Sequence, residues 1–188
     1  MFYNITMDIK RILKQLLSYV KVVVVTWVTV FIVANFVFRP VIVEGRSMYP
    51  TLHDQDIGIA NIIGLKVMGV KRFDIVVIDL DEYDNLLVKR VIGLPNEKVE
   101  FKDDKLYIDD VYLEEGFLDD EYKSGYQNKG QRFTDDFSIQ LGEDEYFCMG
   151  DNRPHSSDCR RFGPVNFSQF VCKQVFIFYP FKKADRAD

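Results

Sequence analysis

The sequence predicts a mostly β protein, in which a β-rich domain follows one N-terminal transmembrane helix. Two observations carry this prediction. The 17 residues from Val22 to Phe38 hold no charged side chain, which is typical of a membrane anchor. After Pro40 the apolar residues fall into short runs rich in Val, Ile, Phe and Tyr, separated by Gly, Asp and Asn, which is typical of strands and turns. A length of 188 residues suits one such domain with a small appendage.

Residues 1–21 form a basic segment ahead of the anchor. Its charged residues are Asp8, Lys10, Arg11, Lys14 and Lys21, a net charge of +3. Its apolar residues fall on the other side of a helix of 3.6 residues per turn and include Ile5, Ile9, Ile12, Leu13, Leu16, Leu17 and Val20. Two interpretations remain open: an amphipathic helix lying on an anionic inner leaflet, or a cytoplasmic extension of the anchor with no further role.

The anchor is predicted to occupy residues 22–39. Its uncharged run spans roughly 25 Å as a helix, and Lys21 and Arg39 can extend it by snorkelling. Pro40 is predicted to end the helix. A cleaved signal peptide is the alternative, but bulky residues stand at 36–38 where a small-x-small cleavage site is expected. Basic residues accumulate on the cytoplasmic side of membrane segments, so we expect a single-pass protein of the cell membrane with a cytoplasmic N-terminus and an extracytoplasmic catalytic domain.

The remaining residues, 40–188, are predicted to form the extracytoplasmic β-rich catalytic domain. The predicted strands are Val41–Val43, Ile57–Ile63, Asp74–Leu80, Leu86–Ile92, Val99–Phe101, Leu106–Ile108, Val111–Leu113, Glu145–Met149 and Val171–Tyr179. Asp109–Asp110 is predicted to form a hairpin turn. Residues 96–145 carry 16 acidic and 6 basic side chains, which indicates an acidic insertion or sub-domain. Its charge either solvates the surface or recruits a basic partner.

Composition excludes several classes of protein. A net charge of −5 and a pI of about 5.1 argue against a nucleic-acid partner. The cysteines Cys148, Cys159 and Cys172 are odd in number, so the chain holds either one disulfide and a free thiol or three free thiols. Their spacing, with only two histidines in the chain, argues against a metal site.

Two residues are candidates for chemistry. Ser47 needs a base to become a nucleophile, and neither His53 nor His155 lies in a recognisable catalytic triad. Lys89 shares one face of an apolar strand with Leu87 and Val91. Burial lowers the pKa of a lysine and leaves a neutral amine that accepts a proton. The alternative is a lysine on an edge strand that opposes aggregation.

A third stretch, residues 150–165, reads GDNRPHSSDCRRFGPV, with two acidic residues and three arginines. This composition predicts a loop held by hydrogen bonds and ion pairs. The three stretches, in this order behind an anchor, resemble the boxes of the type I signal peptidases, which are membrane-bound Ser/Lys endopeptidases. The boxes resemble G-x-S-M-x-P-T-L, K-R-x-x-G-x-P and G-D-N-R-x-x-S-x-D-S-R-x-x-G, and they begin here at Gly45, Lys89 and Gly150. The compact size and single anchor are more similar to the Gram-positive members.

The resemblance implies a role for ten residues. Ser47 is implied as the nucleophile and Lys89 as the general base. Six residues are implied to support them: Ser156 beside the lysine amine, Asp158 with Arg160 as an ion pair, Asp151 and Arg153 in the same box, and Gly45 in the nucleophile loop. Val43 and Val88 are implied to line the pocket for the small residue before the cut. The family's fold implies a β-rich domain with an apolar surface that dips into the membrane.

Two departures from the family pattern stand in these boxes. Gly45 replaces a serine that joins the oxyanion hole in some members, so the backbone N–H of Ser47 must serve there. Cys159 replaces the second serine of S-x-D-S-R.

The predicted function is therefore that of a signal peptidase I, a serine endopeptidase that removes signal peptides from exported preproteins after small-x-small sites. Its partners would be preprotein signal peptides and membrane lipid, and its chemistry needs no metal or organic cofactor. A self-cleaving Ser/Lys repressor is disfavoured, because that class has a soluble chain with a DNA-binding module. The alternative from another class is a catalytically silent, membrane-tethered assembly factor or chaperone of the same family.

Overall fold

The first 38 residues form a unit of their own, built on helix α1, Phe2–Ile32. The computed structural model describes residues 2–33 and 37–180, and it describes side chains from residue 11 onward. The stretch Arg11–Ile32 of α1 is long and apolar enough to cross a membrane. Its 22 residues span roughly 33 Å at 1.5 Å per residue, which matches a hydrocarbon core of about 30 Å.

The helix ends earlier than the sequence predicts. Strand β1, Phe38–Ile42, begins two residues before Pro40, so the prediction that the helix continues to Arg39 and ends at Pro40 is wrong. The physical reason is that proline is tolerated in an edge strand, and β1 lies at one edge of its sheet. Residues 34–36, on which the cleavage-site argument rests, lie outside the described residues. The side chains of Ile5 and Ile9 do so too, and the amphipathic pattern stays a prediction.

Residues 39 onward form the second unit, and its main sheet has seven strands in the order β1-β2-β11-β3-β4-β9-β10. These strands are β1 Phe38–Ile42, β2 Ile57–Asn61, β3 Ile75–Ile78, β4 Leu87–Gly93, β9 Glu145–Met149, β10 Val165–Asn166 and β11 Phe170–Tyr179. The long strand β11 pairs antiparallel with both β2 and β3. Two helices accompany this sheet, α2 Ile62–Met68 and α4 Cys159–Phe162.

The acidic segment 96–145 contains the whole second sheet. Its four antiparallel strands are β5 Lys98–Lys102, β6 Lys105–Ile108, β7 Val111–Leu113 and β8 Phe137–Gln140, in the order β7-β6-β5-β8. Helix α3, Asp120–Gln127, lies between β7 and β8 in sequence. The predicted hairpin is confirmed, because Asp109 and Asp110 connect β6 to β7 with φ of 49° and 66°, as a type I′ turn requires.

Strand β4 lies between β3 and β9 near the middle of the main sheet. Five of its seven residues are buried, from Lys89 to Gly93. The edge-strand interpretation of Lys89 is therefore wrong, since both edges of β4 are paired. A mostly β fold is confirmed. The fold buries Lys89 on a strand that is paired along both edges.

Candidate active site

Lys89 and Ser47 meet in the structure. The Lys89 Nζ and the Ser47 Oγ are hydrogen-bonded at 2.8 Å, and Nζ also donates to the Val88 carbonyl oxygen at 3.1 Å. Lys89 is only 3% exposed although it carries an amine. A nucleophile and a base within hydrogen-bond distance are the geometry that covalent catalysis requires.

The environment of Lys89 favours its neutral form. Burial lowers the pKa of its amine below the ordinary lysine value, because desolvation disfavours the ammonium ion. The negative charge of Asp158 acts in the opposite direction and offsets only part of this effect. A neutral amine at this position can accept the proton of the Ser47 hydroxyl, which a charged lysine cannot do.

The loop that carries Ser47 is fixed through its backbone. Gly45 has φ of +88°, a conformation that costs a residue with a side chain roughly 1–2 kcal/mol, and its N–H donates to Asp54 Oδ1 at 2.8 Å. Asn152 holds the next two residues. Its backbone N–H donates to the Ser47 carbonyl oxygen at 3.0 Å, and its Nδ2 donates to the Arg46 carbonyl oxygen at 2.9 Å.

Gly150 allows these two segments to approach each other. A Cβ atom on Gly150 would lie 2.3 Å from both the Ser47 carbonyl oxygen and the Ser156 Oγ, which is closer than atoms can pack. The first glycine of the third box is therefore a packing requirement of the serine loop. The same contact places Ser156 next to Ser47.

Asp151 connects the strand of Lys89 to the loop of Ser47. Its carboxylate accepts two bonds from the Arg90 guanidinium, from Nε at 2.9 Å and from Nη2 at 2.8 Å, and both side chains are fully buried. The same carboxylate accepts a bond from the Thr51 hydroxyl at 2.5 Å. Arg90 follows Lys89 on β4 and Thr51 lies four residues after Ser47, so Asp151 fixes the distance between the two halves of the site.

Asp158 and Arg160 form the ion pair that the resemblance implies, with Arg160 Nε 2.8 Å from Asp158 Oδ1. The Gly150 N–H also donates to Asp158 Oδ2 at 3.0 Å. Burial alone would raise the pKa of Asp158, but the Arg160 guanidinium outweighs it and holds that pKa below the usual range. The carboxylate is therefore charged at neutral pH and fixes the turn that begins at Gly150.

Arg153 is the most deeply buried arginine of this loop. It donates from Nε to the Gly150 carbonyl oxygen at 3.0 Å, and its Nη2 pairs with Glu115 at 2.5 Å. Glu115 belongs to the acidic segment, so Arg153 ties that segment to the third box. Sequence reasoning missed Glu115, because a glutamate in a run of acidic residues carries no signal that sets it apart.

Ser156 lies near the serine loop, but its hydroxyl forms no hydrogen bond with the lysine amine. Its buried hydroxyl has no hydrogen bond of ordinary geometry to any described residue. Its role toward Lys89 stays a prediction.

Val43 and Val88, the residues implied for the substrate pocket, belong to one apolar cluster. Val43 is buried and Val88 half-buried, and Met48, which follows the nucleophile, is in the same cluster. The cluster thus includes residues next to both Ser47 and Lys89 in sequence, and the pocket role of Val43 and Val88 stays a prediction.

The other polar candidates lie outside the dyad. Cys148, Cys159 and Cys172 are free and buried, which answers the question that the sequence left open. In the described part of the chain no group of three His, Cys, Asp or Glu side chains is arranged to hold a metal ion. His53 and His155 both line a groove with tyrosines.

Besides Glu115, supporting residues such as Arg90, Asn152 and Tyr122 were not among the predicted site residues. Arg90 and Asn152 stand inside the motifs, so the motifs held a signal for them. Tyr122 of α3 carries none, although its hydroxyl donates to Asn152 Oδ1 at 3.0 Å. Its helix is polar, and nothing in its sequence indicates a contact with the serine loop.

Comparison with known proteins identifies relatives of this chain. Residues 16–179 match the family described as "Signal peptidase, peptidase S26". The chain is 37% identical over 172 residues to signal peptidase I S of Bacillus subtilis (strain 168), covering 90% of this chain and 92% of that protein. It is 35% identical over 181 residues to signal peptidase IB of Staphylococcus aureus (strain N315), covering 90% and 93%. A solved signal peptidase I from Enterococcus faecalis V583 is 36% identical, with a TM-score of 0.49, and covers 55% of this chain and 95% of that one.

These relatives define the class of the protein as a serine endopeptidase. The chain belongs to the signal peptidase family, which confirms the resemblance drawn from its three motifs. Helix α1 is compatible with membrane anchoring.

Proposed function

We propose that this protein removes signal peptides from exported preproteins, with Ser47 as nucleophile and Lys89 as general base. The observation that carries the proposal is the 2.8 Å contact between Lys89 Nζ and Ser47 Oγ on a buried strand. A buried amine of lowered pKa is the group that this chemistry needs at that position.

The reaction proceeds in two steps. The neutral Lys89 amine takes the proton of the Ser47 hydroxyl as its oxygen attacks the carbonyl carbon of the scissile bond. The resulting ammonium returns that proton to the leaving amine, which departs as the new N-terminus of the mature protein. Lys89 then takes a proton from water, whose oxygen attacks the acyl-enzyme ester. The ester bond to Ser47 breaks, the Lys89 ammonium returns the proton to Ser47 Oγ, and the signal peptide leaves as a carboxylic acid. The Ser47 backbone N–H is proposed to donate to the developing oxyanion.

Substrate selection is proposed to come from the apolar cluster beside the serine. Val43 and Val88 belong to that cluster and would accept the small side chain that precedes the cut. A small, apolar recess excludes large side chains because there is no room for extra carbon atoms in a close-packed surface. This supports cleavage after small-x-small sequences.

The proposed location follows from the charge pattern of the N-terminus. Residues 1–21 carry a net charge of +3, and basic residues beside a membrane span remain on the cytoplasmic side. The catalytic domain would then face the outside of the cell membrane, in contact with lipid, where the signal peptides of translocated preproteins emerge. No nucleic acid or metal takes part in this proposal.

The test is cleavage of a purified preprotein by the full-length protein in detergent. The expected product is a mature chain whose first residue, read by mass spectrometry, follows a small-x-small sequence, and Ser47→Ala should abolish it. Lack of cleavage by the parent protein on a panel of preproteins would contradict the proposal and favour the catalytically silent alternative. Cleavage that persists in Ser47→Ala would contradict the assignment of the nucleophile.

A further inference from the structure

A groove lined by aromatic rings adjoins the serine loop, and the proposed mechanism does not use it. Its volume is about 720 Å³, within the range of about 300–1,000 Å³ that ligand clefts occupy. We call it the aromatic groove, and its main lining residues are Arg46, Tyr49, His53, Tyr122, Tyr126 and His155.

The rings of the aromatic groove form a continuous row. The centroid distances are 5.0 Å for His53–Tyr49, 5.1 Å for Tyr49–Tyr122, 5.5 Å for Tyr122–Tyr126 and 6.3 Å for Tyr126–His155. Such distances are typical of aromatic pairs that stabilise each other. A row of rings that already support one another loses little freedom when a ligand packs on it, and this preorganisation favours binding.

The groove lies beside the serine loop. Arg46 precedes Ser47 in the chain, and Asn152, which also lines the groove, donates its N–H to the Ser47 carbonyl oxygen. The groove shares no residue with the apolar cluster of Val43 and Val88. An extended peptide covers roughly 3.3 Å per residue, so about three residues after the cut bond would reach about 10 Å from Ser47.

We propose that the aromatic groove binds the substrate segment that follows the cut bond, and that it favours an aromatic or large apolar side chain within the first three residues of that segment. This inference rests on the proposed function. The apolar cluster takes the residues before the cut, and the aromatic groove, as a separate surface at the same serine, takes the residues after it. Aromatic walls select aromatic and apolar side chains because these gain both buried area and ring contacts.

The proposal also assigns the acidic segment a role in substrate binding. Two walls of the groove, Tyr122 and Tyr126, stand on α3, which lies in that segment. Tyr122 donates to Asn152, and Asn152 in turn holds the backbone of Arg46 and Ser47. The wall that contacts the substrate is thus hydrogen-bonded to the residue that fixes the nucleophile.

The experiment compares two peptides that are identical up to and including the small-x-small site. One continues with Ala-Phe-Leu and the other with Ala-Gly-Ser. The parent protein should show a kcat/KM about three- to tenfold higher for the Ala-Phe-Leu peptide, the size of one aromatic contact. Tyr126→Ala should bring this ratio close to one, mainly through KM. His155→Ala, which removes an exposed side chain at the end of the row, should lower the ratio partly.

Tyr112→Ala is the matched control, because Tyr112 is an exposed tyrosine of the same segment outside the groove; it should keep the parent ratio. A parent ratio near one would overturn the proposal, as would a ratio that neither Tyr126→Ala nor His155→Ala changes. Thermal unfolding of each variant shows whether it folds. If Tyr126→Ala does not fold, the kcat/KM ratio of the two peptides for His155→Ala tests the proposal instead. If the parent protein cleaves neither peptide, the proposed function itself is contradicted. If it cleaves both equally, only the proposed role of the aromatic groove is contradicted.

Discussion

Lys89 and Arg90 are neighbours on β4 and are both buried. They differ in whether the buried side chain can lose its proton. A guanidinium does not deprotonate in proteins, so Arg90 needs the Asp151 carboxylate that accepts two of its N–H groups. A lysine can lose its proton instead, and Lys89 faces a serine hydroxyl and a carbonyl oxygen rather than a carboxylate. One strand thus supplies a permanent charge that holds the site and an amine that can act as a base.

Because Ser47 and Lys89 act together, substitution of either residue is predicted to lower kcat to a similar extent. Ser47→Ala, Lys89→Ala and the double variant should each lower kcat by a similar factor, at least about 10²–10⁴-fold, because the two side chains act in one proton transfer. Lys89→Arg should be as inactive as Lys89→Ala, although it keeps the charge. Lys98→Ala, which removes a half-buried lysine of β5 in the second sheet, is the control and should keep activity. Near-normal turnover by Lys89→Ala would exclude the lysine as the base.

The lowered pKa of Lys89 predicts how activity depends on pH. The neutral amine is the active form, and it predominates above the pKa of Lys89, so kcat/KM should rise with pH through a value below the ordinary 10.5 of lysine. The measurement is a pH–rate profile of the parent, His53→Ala and His155→Ala on one preprotein. All three should share the position of the acid limb. A limb that disappears with either histidine in a folded variant would assign the base to that histidine.

The close packing around Gly150 predicts that one added methyl group lowers both stability and activity. In Gly150→Ala the new Cβ meets the Ser47 carbonyl oxygen and Ser156, and the loop must shift, which should cost about 1–3 kcal/mol of stability and lower kcat. Gly116→Ala is the control, since a Cβ there meets no atom within 4 Å. Urea unfolding and preprotein cleavage measure the two effects. Wild-type turnover by Gly150→Ala would show that the close approach does not fix the nucleophile.

Among the elements, β4 and the serine loop are joined by Asp151, and this link predicts a large loss of stability. Asp151→Ala leaves the Arg90 charge buried without its partner, which should cost about 3–5 kcal/mol. Arg132→Ala breaks an exposed pair with Asp136 and should change the melting temperature far less. Thermal unfolding of both variants tests the difference. Equal shifts would mean that Arg90 finds another partner when Asp151 is lost.

Most of the strands were predictable from alternation and turn residues, and the helices of the β-rich domain were not. Residues 62 and 63 were assigned to a strand, but the Asn61 side chain accepts a bond from the Gly64 N–H and starts α2 there. Helix α3 was missed because its sequence DEYKSGYQ has no buried residue and therefore no apolar face. Strand β8 was also missed, although its half-buried Phe137 and Ile139 alternate with exposed polar residues as in a strand.

The site was predictable to the extent that its residues stand in local motifs. Ser47 and Lys89 follow from those motifs, but the choice between an edge lysine and a buried base depends on strand order. Strand order is a long-range property: β9, which covers one side of β4, lies more than 50 residues further along the chain. The Tyr122–Asn152 bond joins two elements in the same way, so no short sequence window contains it.

Taken as a whole, the chain separates its charges between two units. Residues 1–21 carry +3 and the remaining residues carry −8, and the uncharged stretch of α1 follows the basic residues. The helix is long and apolar enough for one membrane crossing, and the charge difference predicts the direction of that crossing. A signal sequence meets the same requirement, so the direction and the permanence of the anchor need separate measurements.

These features predict a permanent anchor with the N-terminus inside the cell. The full-length protein, tagged at both ends, should stay with membranes after alkaline extraction, because about 30 Å of apolar helix remains in the bilayer. Protease added to intact spheroplasts should remove the C-terminal tag and leave the N-terminal tag protected, and lysis should expose both. An N-terminal tag digested from outside would reverse the orientation and place the dyad in the cytoplasm. A mature protein that begins near residue 35–40 would instead identify α1 as a cleaved leader, since a permanent anchor keeps its N-terminal tag on the same chain as Ser47.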